Sequence, residues 1–235
     1  MKCKVLLFSV TSSLLLSVSV SSVQADYIGD RATLDALLGG NQIFEDFESY
    51  LIAPGAFDIL FGVDLDSTSV LNGQGPGLVE PGAIYVQDLS SPVNDLVWFG
   101  DTAFGLESKA IGRIQSTTFE IMYSTAVTAM GLDLRSLINF GGFVGTADVY
   151  DTNDVLVSST DIEIVNGGAE NLFFGWEHAA GIGRVLLTGS PNKGGTTISP
   201  IIDNHGYGQA IPAPGALALL GVAGLMGRRR RRRNA

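Results

Sequence analysis

Two histidines, His178 and His205, and 24 Asp and Glu side chains are the groups of this 235-residue chain that could exchange protons near neutral pH. Glu177 adjoins His178, but neither histidine belongs to an H-E-x-x-H or H-x-H pattern that would gather a zinc ion on one face of an element. No G-x-S-x-G turn presents a nucleophilic serine. The stretch NGQGPG at 72–77 has two G-x-G steps, yet Pro76 and the lack of a helix pattern behind it argue against a phosphate loop. DLDSTS at 64–69 has a D-x-D spacing without the glycine at the sixth place or the glutamate at the twelfth that a calcium loop needs, and it reads as a surface turn. Two carboxylates could act as acid and base on a glycosidic bond, but among 24 of them chance pairs are expected. These residues point away from an enzyme and leave a secreted glycan hydrolase as the last alternative.

Binding chemistry is the other option. Trp98, Trp176, Tyr85 and Tyr207 carry the broad apolar faces with polar edges that stack on sugar rings. Trp98 sits in LVWFG and Trp176 in FFGWEH, both apolar neighbourhoods, so core packing accounts for them better than ligand stacking.

The elements that would position these residues are strands. TFEIMYSTAVTAMGLDL (118–134) is β-branched and aromatic with partial period-2 alternation. Val144, Ala147 and Val149 belong to one strand and Val155 to Val157 to the next, with DTND as the turn between them. RVLLTGS (184–190) and TTISPIIDNHGYG (196–208) supply two more. The spacing predicts one short helix over 30–40, with Asp30 as N-cap and Gly39 as the stop. The 30 glycines show no fixed period, which excludes a repeat solenoid. Many short strands with frequent turns predict an all-β antiparallel sandwich.

Charge is distributed unevenly. Of 14 Lys and Arg, two lie in the first 25 residues and six in the terminal cluster, which leaves six against 24 acids and a body charge of −18. Such a body repels nucleic acid and anionic membranes and attracts divalent cations. The sole cysteine, Cys3, lies outside the body, so the body has no disulfide or thiol chemistry.

Both ends carry addresses. Lys2 and Lys4 precede an uncharged stretch from Val5 to Val20, and Val23-Gln24-Ala25 places small residues at −3 and −1 before Asp26. This is the pattern of a secretory signal peptide over 1–25, cleaved between Ala25 and Asp26. At the other end Pro212, Ala213 and Pro214 precede 13 uncharged residues, Gly215 to Gly227, and then Arg228, Arg229, Arg230, Arg231, Arg232 and Arg233. A helix of that length covers about 20 Å of a ~30 Å hydrocarbon core. It is apolar all round, and the arginines can snorkel to headgroups and hold the cytoplasmic side. A nucleic-acid tail or a solvated end would account for the arginines, though not for the apolar run before them.

This order of parts over 210–235 resembles the PEP-CTERM sorting signal in its PAP variant, with Ala213 where the family usually has Glu. The resemblance implies an exosortase-like membrane protease as partner, cleavage near the proline motif, and delivery of the body to the cell surface or an exopolysaccharide matrix. The body, 26–209, opens with IFEDFESY (43–50) and closes with IIDNHGYG (201–208), a pattern similar to jelly-roll domains. That resemblance implies a jelly-roll-like sandwich flanked by an N-terminal signal helix and a C-terminal hydrophobic helix. It further implies a structural Ca²⁺ shared by early acids and a late one, here Glu45, Asp46, Glu48 and Asp203. The plainer alternative puts those acids on the solvated side of a strand. Together these features predict an exported surface or matrix protein that is structural or adhesive and needs no cofactor. A secreted glycan-binding module that meets extracellular polysaccharide is the alternative.

Overall fold

The computed structural model describes residues 24–60, 62–87, 96–113, 116–137, 142–164, 168–191 and 201–211. Residues 1–23 of the expected signal segment and its helix, the proline motif, the expected hydrophobic helix over 215–227 and the arginine cluster lie outside the described residues. Among the described residues eleven strands form one hydrogen-bonded antiparallel network: β1 (Asp26–Ile28), β2 (Ile43–Glu45), β3 (Phe57–Leu60), β4 (Ala83–Val86), β5 (Leu96–Phe99), β6 (Ala110–Arg113), β7 (Thr118–Ser136), β8 (Phe143–Asp151), β9 (Leu156–Ile164), β10 (Gly168–Pro191) and β11 (Ile201–Gly208). The main path runs β3-β5-β6-β11-β7-β10-β8-β9.

The two longest strands turn this network into two facing layers. The C-terminal half of β7 pairs with β11 and with the first half of β10, for example Leu132 with Phe174. Its N-terminal half pairs with β4 and with the second half of β10, for example Ile121 with Val185. Between these halves the β10 register shifts twice, from Glu177 to Ile182 and from Ile182 to Arg184. Gly181 at φ +98° supplies the left-handed backbone that this irregularity requires, which a side chain would strain. Contacts across the interior join the halves: Trp176 Nε1 donates to Thr160 Oγ1 at 3.2 Å, and Phe47 packs edge-on against Tyr85 at 5.3 Å. The central core lies between them and draws on Trp98, Phe119, Ile121, Leu132, Val149, Trp176 and Val185.

The predicted helix forms as α1, Arg31–Leu38. Asp30 caps it by accepting the Thr33 N–H at 2.9 Å, and Gly39 ends it at φ 52°. Leu34 and Leu38 are fully buried against Ile28 and Ala129 on the outer side of the β7–β11 layer. Burying two leucines contributes roughly 1.5–3 kcal/mol each. The approach is close because Gly131 lies beneath α1: a Cβ there would collide with the Phe173 ring and come within 3.0 Å of Leu34 Cδ2. A second outer cluster, Phe99, Ala103, Leu106 and Ile201, is covered by the loop after β5.

Between the two covered patches lies a buried polar strip. Asp203 is fully buried, pairs with Arg135 Nη2 at 3.0 Å and accepts from Ser108 Oγ at 2.5 Å. Asp133 opposite it holds Arg31 at 3.0 Å and Asn204 Nδ2 at 2.9 Å.

Candidate functional site

A cleft of about 700 Å³ opens on the outer face of the β4–β7–β10–β8 layer. Strand alternation builds its floor. Glu120, Met122 and Ser124 step along one side of β7 while Phe119, Ile121 and Tyr123 point into the core. On β10 Arg184 stands opposite Met122 on one side and Tyr150 of β8 on the other. The β8–β9 turn, Asp151 to Asp154, forms the far wall. Gly183 and Ala126 leave the space between the walls open.

Arg184 is the fixed point of the site. Its guanidinium lies over the Tyr150 ring at 3.6 Å from the centroid, Nε donates to Asp154 Oδ1 at 2.6 Å, and Nη1 donates to Glu120 Oε1 at 3.3 Å. Stacking and two charge-assisted bonds hold the planar group in one orientation. Asp151 serves the turn: Oδ1 accepts the N–H groups of Val155 at 2.9 Å and Asn153 at 2.8 Å, bonds that hold its carboxyl below the usual range. The lining thus offers three carboxylates, one guanidinium, the hydroxyls of Ser124 and Thr152, and the half-exposed Met122. Carboxylates and a guanidinium side by side accept from and donate to neutral hydroxyls, and the acidic excess disfavours anions.

The residues singled out in the sequence lie elsewhere. Trp98, Trp176 and Tyr85 are at 0% exposure and Tyr207 at 1%, so none presents a face to a sugar. Trp98 Nε1 donates to the Phe47 carbonyl at 3.1 Å, and Tyr207 donates to the Pro81 carbonyl at 3.0 Å. Core packing, which the apolar neighbourhoods of Trp98 and Trp176 favoured over ligand stacking, is where all four rings lie, each on the inward side of its strand.

The acids do not converge on a cation. Glu45 is buried, with Oε1 accepting the Phe47 N–H at 2.6 Å and Oε2 the Glu80 N–H at 2.5 Å. Burial pushes its pKa up to about 7 against the pull of those N–H groups. Asp203 is spent on Arg135 and Ser108, and burial raises its pKa as well. Glu48 pairs with Lys109 at 3.3 Å, and Asp46 caps the Glu48 N–H at 3.0 Å. Among the described residues no group of three or more His, Asp and Glu could hold a metal ion. Asp46 and Glu48 are solvated, though in the turn after β2 rather than on a strand, while Glu45 and Asp203 are buried. In DLDSTS, Asp66 caps the Thr68 N–H at 2.8 Å, as a surface turn should.

His205 is buried between two phenols, with the Tyr85 hydroxyl 2.9 Å from Nδ1 and the Tyr123 hydroxyl 2.9 Å from Nε2. Burial lowers its pKa to about 3, so it stays neutral, and a neutral imidazole satisfies one donor and one acceptor contact in either tautomer. His178 is buried too, and its Nδ1 has no hydrogen-bond partner among the described residues. Of the end signals, Ala25 and Asp26 are described; Pro212, Ala213, Pro214 and Arg228 to Arg233 are not.

Reasoning from sequence missed the cleft residues. The alternation of Glu120, Met122 and Ser124 with apolar neighbours was the available signal, as was Arg184, one of only six cations in the body. No family model matches the chain. No curated protein matches it either. Among solved structures it is similar to a glycoside hydrolase family 43 arabinoxylan arabinofuranohydrolase from Bacillus subtilis in complex with cellotetraose. That match has 16% identity and a TM-score of 0.23, over 66% of this chain and 27% of that one.

Proposed function

We propose that this chain is an exported surface or matrix protein whose jelly-roll-like sandwich is delivered by its C-terminal sorting tail and serves a structural or adhesive role. The observation that carries the reading is how the folded unit fits between the two addresses. β1 begins at Asp26, directly behind the signal pattern, and β11 ends at Gly208, four residues before the proline motif opens at Pro212. An exosortase-like protease is the partner that would sever the tail near Pro212-Ala213-Pro214. The test is the intact mass of the protein from its native host, measured separately in membrane and extracellular fractions. A form from Asp26 to about Pro212–Pro214 outside the cell is the expected result. A membrane-bound form that keeps Arg228 to Arg233 would sink the processing claim.

A second reading, adhesion through glycan binding, is favoured by the cleft around Arg184. Its mixed carboxylate, guanidinium and hydroxyl lining beside Met122 suits a neutral saccharide. Affinity electrophoresis in neutral and in anionic polysaccharide gels tests it. Retardation by the neutral polymer is expected; retardation by neither would remove the adhesive reading and leave the structural one.

A further inference from the structure

The body carries two methionines, Met122 and Met130, eight residues apart on β7. Met130 is at 0% exposure in the central core, whereas Met122 is at 42% in the floor of the cleft. A thioether is oxidised where solvent reaches it, so one strand holds both a reactive sulfur and a protected counterpart.

The neighbours of Met122 give its oxidation a consequence. Arg184 stands directly opposite it on β10, and side chains paired in this way start from Cβ atoms ~4.5–5.5 Å apart. Arg184 Nε is spent on Asp154 and Nη1 on Glu120, and among the described residues nothing accepts from Nη2. Stacking on Tyr150 holds that free donor in place. The other donors of the lining are engaged or stand across the cleft. Ser124 Oγ donates to the Gly82 carbonyl at 3.3 Å, the Tyr123 hydroxyl turns inward to His205, and Thr152 is on the far wall. The carboxylates of Glu120, Asp151 and Asp154 only accept. An oxygen on the Met122 sulfur therefore has Arg184 Nη2 as the free donor on its own side of the cleft. The thioether itself is too weak an acceptor to occupy that donor.

We propose that Met122 is an oxidation site that governs the cleft: a peroxide converts its thioether to the sulfoxide, and the sulfoxide oxygen takes the Arg184 donor away from ligand hydroxyls. The sulfur lone pair attacks one peroxide oxygen, an S–O bond forms and the O–O bond breaks. Sulfur is oxidised by two electrons. The peroxide is reduced and leaves as water, because the proton on the attacked oxygen passes to the departing hydroxide. In the same step the floor between Ile84 and Arg184 turns from apolar to polar. The consequence for ligands rests on the glycan reading of the cleft; the oxidation and the new hydrogen bond do not.

The full chain in detergent is treated with hydrogen peroxide, and each methionine is followed by mass on its own peptide. Met122 should gain one oxygen at least about tenfold faster than Met130. Phenylglyoxal, which attacks unengaged guanidinium nitrogens, should then modify Arg184 about tenfold more slowly than before peroxide, the effect of one charge-assisted bond. Met122→Leu, compared with itself before and after peroxide, should show no change at Arg184. In a neutral polysaccharide gel the oxidised chain should lose its retardation. Equal oxidation of the two methionines overturns the inference, as does an Arg184 rate that peroxide leaves unchanged or alters equally in Met122→Leu. Retardation that survives full oxidation of Met122 overturns its control of ligand binding. A chain that is not retarded even before peroxide removes the glycan reading, and the Arg184 rate still decides the new bond.

Discussion

Glu45 and His205 occupy paired positions on β2 and β11, both inside the sandwich, and burial moves their pKa values in opposite directions, Glu45 up to about 7 and His205 down to about 3. Each therefore resists becoming charged. Glu45 answers the Phe47 and Glu80 N–H groups, with Asp46 and Glu80 as neighbouring charges; His205 answers Tyr85 and Tyr123, with Arg31 as the nearby cation.

Their effects on stability oppose one another. Glu45, raised to about 7 from 4.5, contributes stability that is complete below pH 4.5 and lost as pH climbs to 7. His205, lowered to about 3 from 6.5, contributes stability that is complete above pH 6.5 and lost as pH falls towards 3. In the window between 4.5 and 6.5 the slopes cancel. Urea unfolding should show Glu45→Gln gaining stability with pH there, relative to the unsubstituted chain, by up to about 1.4 kcal/mol per unit. His205→Gln should lose it at the same rate. Parallel profiles for all three proteins would rule out this pairing.

The Arg135–Asp203 pair is buried, at 3% and 0% side-chain exposure. Removing either partner strands the other charge, so Arg135→Met or Asp203→Asn should each cost about 3–5 kcal/mol. The double substitution Arg135→Met with Asp203→Asn should cost clearly less than the sum of the singles. Additive losses by chemical denaturation would mean that the two charges do not interact.

Core tryptophans and cleft residues should separate stability from binding. Trp98→Ala should cost about 3–5 kcal/mol through the cavity it leaves, whereas Trp98→Phe should keep any polysaccharide affinity. Arg184→Gln should shift stability by about 1 kcal/mol or less, since its ion pairs are solvent-facing, and should abolish gel retardation. Loss of binding in Trp98→Phe at unchanged fold would return the tryptophan to a ligand role.

Ala25, the residue before the expected signal cut, is at 5% exposure and donates its N–H to the Val157 carbonyl on β9 at 3.0 Å. That bond and the pairing of Asp26 with Glu177 on β10 hold the Ala25–Asp26 peptide in the sheet, so any cleavage there has to precede folding. Full-length precursor offered to signal peptidase in detergent should be cut when it is added unfolded and resist when it is refolded first. Equal cleavage of both would show that the first strand opens readily.

Much of the body was legible because local patterns report local structure. Asp30 and Gly39 marked both ends of α1, and the Asp151 to Asp154 turn followed from residues that bond their own backbone. Alternation along 118–134 marked β7 within two residues of its observed end. The length of β10 was not visible, because its glycines read as breaks when Gly181 and Gly183 in fact allow one strand to pass from one layer to the other.

The sequence by itself determined the antiparallel β class, the acidity of the body and the order of basic and apolar runs at its two ends, since composition, period and the order of charged and apolar runs are properties of the chain alone. Only the tertiary structure decided which side of each strand faces inward. Period 2 marks two faces and does not say which will be covered. Glu45, Asp203, Trp98 and Trp176 fell on the covered side. Glu120, Met122 and Arg184, unremarkable along the chain, were brought together on the open side because β7, β8 and β10 pair in the register that aligns them.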